Sequence, residues 1–223
     1  MNRQYKICKS DEISVLEMDW DAPAWLQTKT AVIANFHAES SLHRPITEVK
    51  ICYNDAGVFL LFRVRDRYVR CRHTRFNSRV HEDSCVECFF QPSRAEGYYN
   101  IEINCGAVLH VNYIIDPERD ESGKRKDVRT LPENIAKKIR TKSSLQHIAA
   151  EEIKEALEWK TCRIYSVRFF SYYTPPGQVK NSIWKGNLYK CGDKTSHPHW
   201  GAWNPIRELN FHQPSCFGEF IFS

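Results

Sequence analysis

The sequence predicts an all-β sandwich with long C-terminal loops and minor helix, and three observations predict it. Short runs rich in Val, Ile, Tyr and Phe recur through residues 49–115, separated by turn residues, as strands in a meander do. Helix-favouring composition is confined to two short stretches, and the chain beyond residue 172 is dense in proline and glycine. Many short strands with little helix form a sandwich around one core, and 223 residues suit a single domain over 1–223.

Taken in order, residues 49–66 read VKICYNDAGVFLLFRVRD, two β-rich runs joined by Asn54-Asp55-Ala56-Gly57, which signals a hairpin. Residues 85–91, 98–105 and 108–115 continue the pattern, with turns at 93–97 and 104–106. Along the second of these, Tyr99, Ile101 and Ile103 alternate with Asn100, Glu102 and Asn104, so one face is apolar and the other is free for a ligand. Residues 116–129 are charged, contain Gly123 and lack an apolar period, which reads as an exposed loop. A short helix is expected within 132–146 and helix formers fill EEIKEALE at 151–158, ahead of a strand-like run at 159–170. Short strands are expected at 182–189 and 217–222 among the loops of the tail.

Hydrophobic residues make up 42% and aromatics 13%, which excludes a disordered chain. The net charge of +5, from 32 basic and 27 acidic residues, is too small a bias to indicate a nucleic-acid partner. No apolar run approaches the roughly 18 residues of a membrane span. The opening MNRQYKICKSDE has no apolar stretch, so a cytoplasmic protein is expected, or an extracellular or periplasmic one if a leader was removed. Nine irregularly spaced cysteines are expected as buried free thiols. Cys85 and Cys88 form a C-x-x-C inside a strand, where an offset of three points side chains to opposite faces, so zinc is not expected.

Four of the six tryptophans lie in the C-terminal half, and Trp184, Trp200 and Trp203 share a Gly/Pro-rich stretch with Tyr189, His197, His199 and Phe211. Sugars need aromatic platforms for their C–H faces and planar polar groups for their hydroxyls, and this tail supplies both. Trp200 and Trp203 on a loop are therefore candidate platforms, or plugs for the end of the sandwich. Glu82, Asp83 and Glu87 lie at a strand start, and Glu102 with Asn104 on a neighbouring strand could face them. Such carboxylates suit a glycosidase pair, a calcium site, hydroxyl acceptors or a solvated edge. No phosphate loop, nucleophile elbow or H-E-x-x-H pattern is present, which removes the commonest motif-bearing enzymes.

Four segments in order, VKICYNDAGVFLLFRVRD, HEDSCVECFFQP with YYNIEINCGAVLHVNY, WKGNLYKCGDKTSHPHWGAWNPI and LNFHQPSCFGEFIF, resemble the family 9 carbohydrate-binding modules. The likeness is greater to the family-9-like proteins that stand alone in bacteria. The resemblance implies an immunoglobulin-like, two-sheet antiparallel β-sandwich without catalysis. It also implies binding of sugars or the reducing ends of polysaccharides such as cellulose and xylan, hence a place in glycan catabolism. In that family two aromatics sandwich the sugar while polar side chains hold its hydroxyls. Glu87 matches the family's carboxylate, the first platform falls near Val80 or His81, and the second corresponds to Phe211, with Trp203 the near alternative. Glu102 stands where the family has an arginine.

The expected ligand face is therefore Glu87, Glu102, Asn104, Trp200, Trp203, Asn210 and Phe211. Its partner would be a mono- or oligosaccharide or a polysaccharide chain end. No cofactor is expected beyond calcium as a structural ion, and neither nucleic acid nor membrane is an expected partner. The rivals are a glycoside hydrolase using Glu82, Glu87 or Glu102, and a protein-interaction sandwich that has lost its platform.

Overall fold

The computed structural model describes residues 3–13, 16–145, 151–174 and 179–223, and none of their helices is long and apolar enough to cross a membrane. The expected hairpin is Ile46–Asn54 (β4) and Gly57–Asp66 (β5), its turn closed by the Ala56 N–H donating to Asn54 Oδ1 at 2.9 Å. Leu157–Ser166 (β11) pairs along the whole of β5, and Arg140–Ser143 (β10) extends that sheet. Thr30–Ile33 (β2) lies on the far edge of β4. The second sheet runs Gly218–Phe222 (β14), Ile183–Cys191 (β12), Cys85–Gln91 (β6), Tyr98–Asn104 (β7), Leu109–Arg119 (β8) and Arg125–Thr130 (β9). Trp200–Ala202 (β13) pairs with the end of β12 and with Asn35–Phe36 (β3). Gln4–Lys9 (β1) joins the sheets, running parallel first to β14 and then to β4; the other ladders are antiparallel.

Between the sheets, Val58, Leu60, Phe62 and Val64 of β5 share one buried cluster with Val86, Cys88 and Phe90 of β6 and Tyr99, Ile101 and Ile103 of β7. Fully burying each large side chain is worth roughly 1.5–3 kcal/mol. Both sheets are also covered outside. Trp20 and Trp25 close over Cys52, Phe59, Leu61 and Cys162, while Phe217 and the partly buried Phe211 and Ile206 pack on Phe89, Tyr98 and Tyr189. That double cover explains why β6 reads as an almost unbroken apolar run.

The structure differs from the sequence expectation in five places. Residues 116–129 are not a loop: they complete β8 and supply β9, joined by a turn in which Asp120 Oδ1 accepts from Ser122 and Lys124 N–H and Gly123 takes φ 80°. An edge ladder needs only backbone pairing, so charged side chains hide it from a hydrophobic-period search. Helix within 132–146 shrinks to Glu133–Ala136 (α1), followed by β10. The helix formers of 151–158 form none, because Ile153 bridges Val69 and Leu157 is drawn into the β5 ladder. The run at 159–170 ends its strand at Ser166 and turns through Val167–Phe170 (α2), capped by the Ser166 hydroxyl. Strands β1, β2 and β3, ahead of residue 49, had no predicted counterpart.

Candidate functional site

A cleft of about 500 Å³ opens on the outer face of the second sheet, beneath the chain of residues 193–212. Period two on β6 sends Val86, Cys88 and Phe90 inward and leaves Cys85, Glu87 and Phe89 outside. The register then sets Glu87 opposite Glu102 and Glu102 opposite His110, giving one polar row across three strands, with Asn100 opposite Asn112 beside it. The hairpin of β8 and β9 adds Arg119 and Arg125 at one side, and Trp200, Asn210, Phe211 and His212 come from above.

The two central carboxyls have unlike environments. Burial alone would raise Glu102, but a hydrogen bond with His81 Nδ1 at 3.3 Å and the nearby His110 bring it down to about 2, helped by the Asn100 amide donating at 3.0 Å. Glu87 is only 3% exposed, and burial together with the Glu102 charge pushes it well above the usual carboxylate range. The Cys191 thiol donates to it at 3.2 Å. The pair thus offers a sugar one proton donor, Glu87, and one charged acceptor, Glu102. Trp200 is half-buried with its Nε1 donating to Asp193 at 2.8 Å. Phe211 stacks on Tyr189 at 4.1 Å and 12°, and the Tyr189 hydroxyl donates to the Phe211 carbonyl at 2.9 Å.

Of the predicted ligand face, Glu87, Glu102, Trp200, Asn210 and Phe211 come together in this cleft. Asn104 does not. It is buried, its amide donating to Asp83 at 2.9 Å and to the His73 carbonyl, while its Oδ1 accepts from Val108 N–H at 2.9 Å, so it shapes the β7–β8 turn. Trp203 lies between the sheets, stacked on Phe220 at 5.4 Å. The alternation that turns Trp200 and Ala202 to the outer face sends Trp203 inward. At the first platform position, Val80 is buried and His81 lines the cleft. Glu82 lies outside it, ion-paired with Lys194 at 3.0 Å and hydrogen-bonded to His73 at 3.1 Å.

Sequence reasoning missed His110, Asn112, Arg119, Arg125, Asp193 and His212. The alternation of β7, extended one strand further, would have found His110 and Asn112. Arg119 and Arg125 flank Asp120-Glu121-Ser122-Gly123, a turn signal concealed by the charge run. Under the cleft, one donor atom each from Cys85, Glu87 and Cys191 lie within 4.8 Å of one another. Two thiols and a carboxylate suit a thiophilic ion and do not suit calcium, which takes oxygen ligands.

Several known proteins resemble this chain. A crystal structure of a candidate carbohydrate-binding protein from Bacteroides uniformis ATCC 8492 superposes with TM-score 0.85 at 25% identity, covering 100% of both chains. A family 9 module from Caldicellulosiruptor kristjanssonii, solved with cellotriose, gives TM-score 0.63 at 12% identity over 99% of this chain and 93% of that one. Its complex with glucose gives the same TM-score and identity over 99% and 96%. These last two bear on the fold alone. No curated protein matches the chain. The sequence pattern of carbohydrate-binding family 9 matches residues 24–222, and on that match, spanning most of its length, the chain belongs to this family.

Proposed function

We propose that the chain is a non-catalytic sugar-binding module whose cleft receives a monosaccharide, a short oligosaccharide, or the end of a plant polysaccharide such as xylan or cellulose. The observation that carries this is the meeting of Trp200 and Phe211 with the Glu87–Glu102–His110 row in one cleft. Aromatic faces cover the C–H faces of a sugar ring, and the row supplies donors and acceptors for its hydroxyls. The Caldicellulosiruptor module's complexes with glucose and cellotriose support the same ligand class.

One feature favours a second reading. Glu87 and Glu102 sit opposite each other with carboxyls pushed apart in pKa, as an acid and base of glycoside hydrolysis would be. Against it, both Glu102 oxygens already accept from His81 and Asn100, which suits a fixed hydroxyl acceptor better than a base that must take up a proton. Tryptophan fluorescence titrated with glucose, xylose, cellobiose and xylobiose, alongside release of nitrophenol from aryl glycosides, separates the two. Binding without turnover supports the module; turnover abolished by Glu87→Gln supports the hydrolase; neither response to any sugar defeats both.

A further inference from the structure

The side of the cleft formed by β8 and β9 is built differently from the rest of that hairpin. Outside the cleft lining its charges are complementary: Lys126 pairs with Glu118 at 2.5 Å and Arg129 lies 3.9 Å from Asp127. Facing the cleft, Arg119 and Arg125 stand directly opposite each other in the ladder. Like charges at opposed cross-strand positions destabilise a hairpin. Among the described residues neither guanidinium has a carboxylate partner, and the Arg119 group only donates to the Gly123 carbonyl across the turn.

Unsatisfied polar atoms concentrate in the same place. Of the five buried side-chain atoms without a partner among the described residues, three belong to the cleft: Arg125 Nε, His110 Nδ1 and Asn100 Oδ1. Because the Asn112 amide donates to His110 Nε2 at 2.8 Å, Nδ1 carries the proton, so two of the three are donors. The third, Asn100 Oδ1, is an acceptor, since the other end of that amide donates to Glu102. Buried donors without acceptors are costly and point to a missing partner. The acidic groups of the cleft do not fill the role: Glu102 is held by His81 and Asn100, Asp193 by Trp200, and Glu87 by Cys191.

Resting on the sugar-binding reading above, we infer that the cleft selects an acidic sugar, whose oxyanion lies against Arg119, Arg125 and His110 while its hydroxyls meet Asn100, Glu87 and Glu102. A guanidinium presents a planar fork that suits a carboxylate or a sulfate, and an anion between the two arginines removes their mutual repulsion. Burial and Arg119 both lower the Arg125 pKa from its ordinary value, which is the strain such an anion relieves. Among polysaccharides, chains with uronate or sulfated units are then preferred over neutral cellulose.

The test is calorimetric titration of the intact chain with glucuronate, galacturonate and mannuronate, with glucose 6-sulfate and galactose 6-sulfate, and with each neutral parent hexose. The expected result is an affinity for at least one acidic sugar about 10- to 100-fold above its neutral parent, falling as salt rises. The uronate and sulfate arms show which oxyanion is used. Arg125→Gln should remove most of that preference, and circular dichroism checks that the variant folds. Neutral sugars binding as tightly as acidic ones overturn the inference and leave the sugar-binding reading intact. No binding by any sugar, acidic or neutral, removes both. A preference that Arg125→Gln and Arg119→Gln leave untouched also overturns it.

Discussion

Lys190 and Asp66 form an ion pair at 3.3 Å, with both side chains fully buried between the sheets. At an effective dielectric of about 20 their attraction is about 5 kcal/mol, and desolvation of the two ions, several kcal/mol each, largely offsets it. The pair as a whole therefore contributes little net stability, whereas either ion alone is expensive. Asp66 also accepts from His43 at 2.7 Å, from Trp159 Nε1 at 3.3 Å and from Arg67 N–H at 2.9 Å. Lys190 donates to the Cys191 carbonyl at 2.9 Å and to His199 Nε2 at 2.7 Å. Lys190→Met leaves a carboxylate with three other donors and should cost ~3 kcal/mol. Asp66→Asn leaves an ammonium with only neutral acceptors and should cost ~5 kcal/mol. The double variant loses both charges together and should cost at least ~2 kcal/mol less than the sum of the two. Urea unfolding of all four proteins, compared at a common slope, measures the cycle. Additive losses, within ~0.5 kcal/mol, would refute the reasoning, because they would mean that the two charges do not sense each other.

The remaining predictions concern the tryptophans and the buried titrating groups. Trp200→Ala should lower sugar affinity about tenfold or more with little loss of stability, whereas Trp203→Ala should cost ~3–5 kcal/mol of stability and leave affinity unchanged; titration and urea unfolding of both variants decide. Because burial raises the folded pKa of Glu87, its stabilising effect is complete below the unfolded value near 4.5 and is lost as pH rises toward the folded one. Glu87→Gln mimics the protonated form, so its thermal midpoint should exceed that of the parent at pH 7 and converge with it near pH 4. His199 runs the other way: burial and the Lys190 charge hold it down to about 3, so its stability is present above pH 6.5 and lost as pH falls. In the Glu87→Gln background, where that opposing change is absent, stability should drop by at least ~2 kcal/mol between pH 7 and 5; a flat profile there would count against a neutral, buried His199.

Much of the second sheet was legible because its residues obey period two. Tyr99, Ile101 and Ile103 against Asn100 and Glu102 declared both the strand and the face that carries the cleft floor. Asn104 continues the same alternation in sequence but begins a turn, and its amide is consumed by Asp83, a contact 21 residues distant that no local pattern reveals. Trp203 illustrates a related limit. A three-residue strand, β13, decides which of two nearby tryptophans faces out, and besides β12 it pairs with β3, a segment far away in the sequence. The helix formers at 151–158 and the charges at 116–129 were misleading for opposite reasons: one propensity yielded to tertiary pairing, and one real ladder had no apolar signature.

On the proposed sugar-binding reading, the division of labour in the cleft follows from where its parts sit in the sheet. Glu87, Asn100 and Glu102 lie on β6 and β7, each with strand neighbours on both sides and a packed core beneath, so their positions are fixed before any ligand arrives. Preorganised groups of that kind serve features common to all sugars, since moving them means disturbing the core. Arg119 and Arg125 lie instead on the β8–β9 hairpin, beyond the last contact of β8 with β7 at Ile114, where substitutions leave the core untouched. Discrimination among sugars can therefore change through the hairpin while the floor stays constant. Exchanging residues 119–125 between relatives of this fold should accordingly transfer acidic-sugar preference without altering stability by more than ~1 kcal/mol. A transfer that instead required changes on β6 or β7 would place the discrimination in the floor.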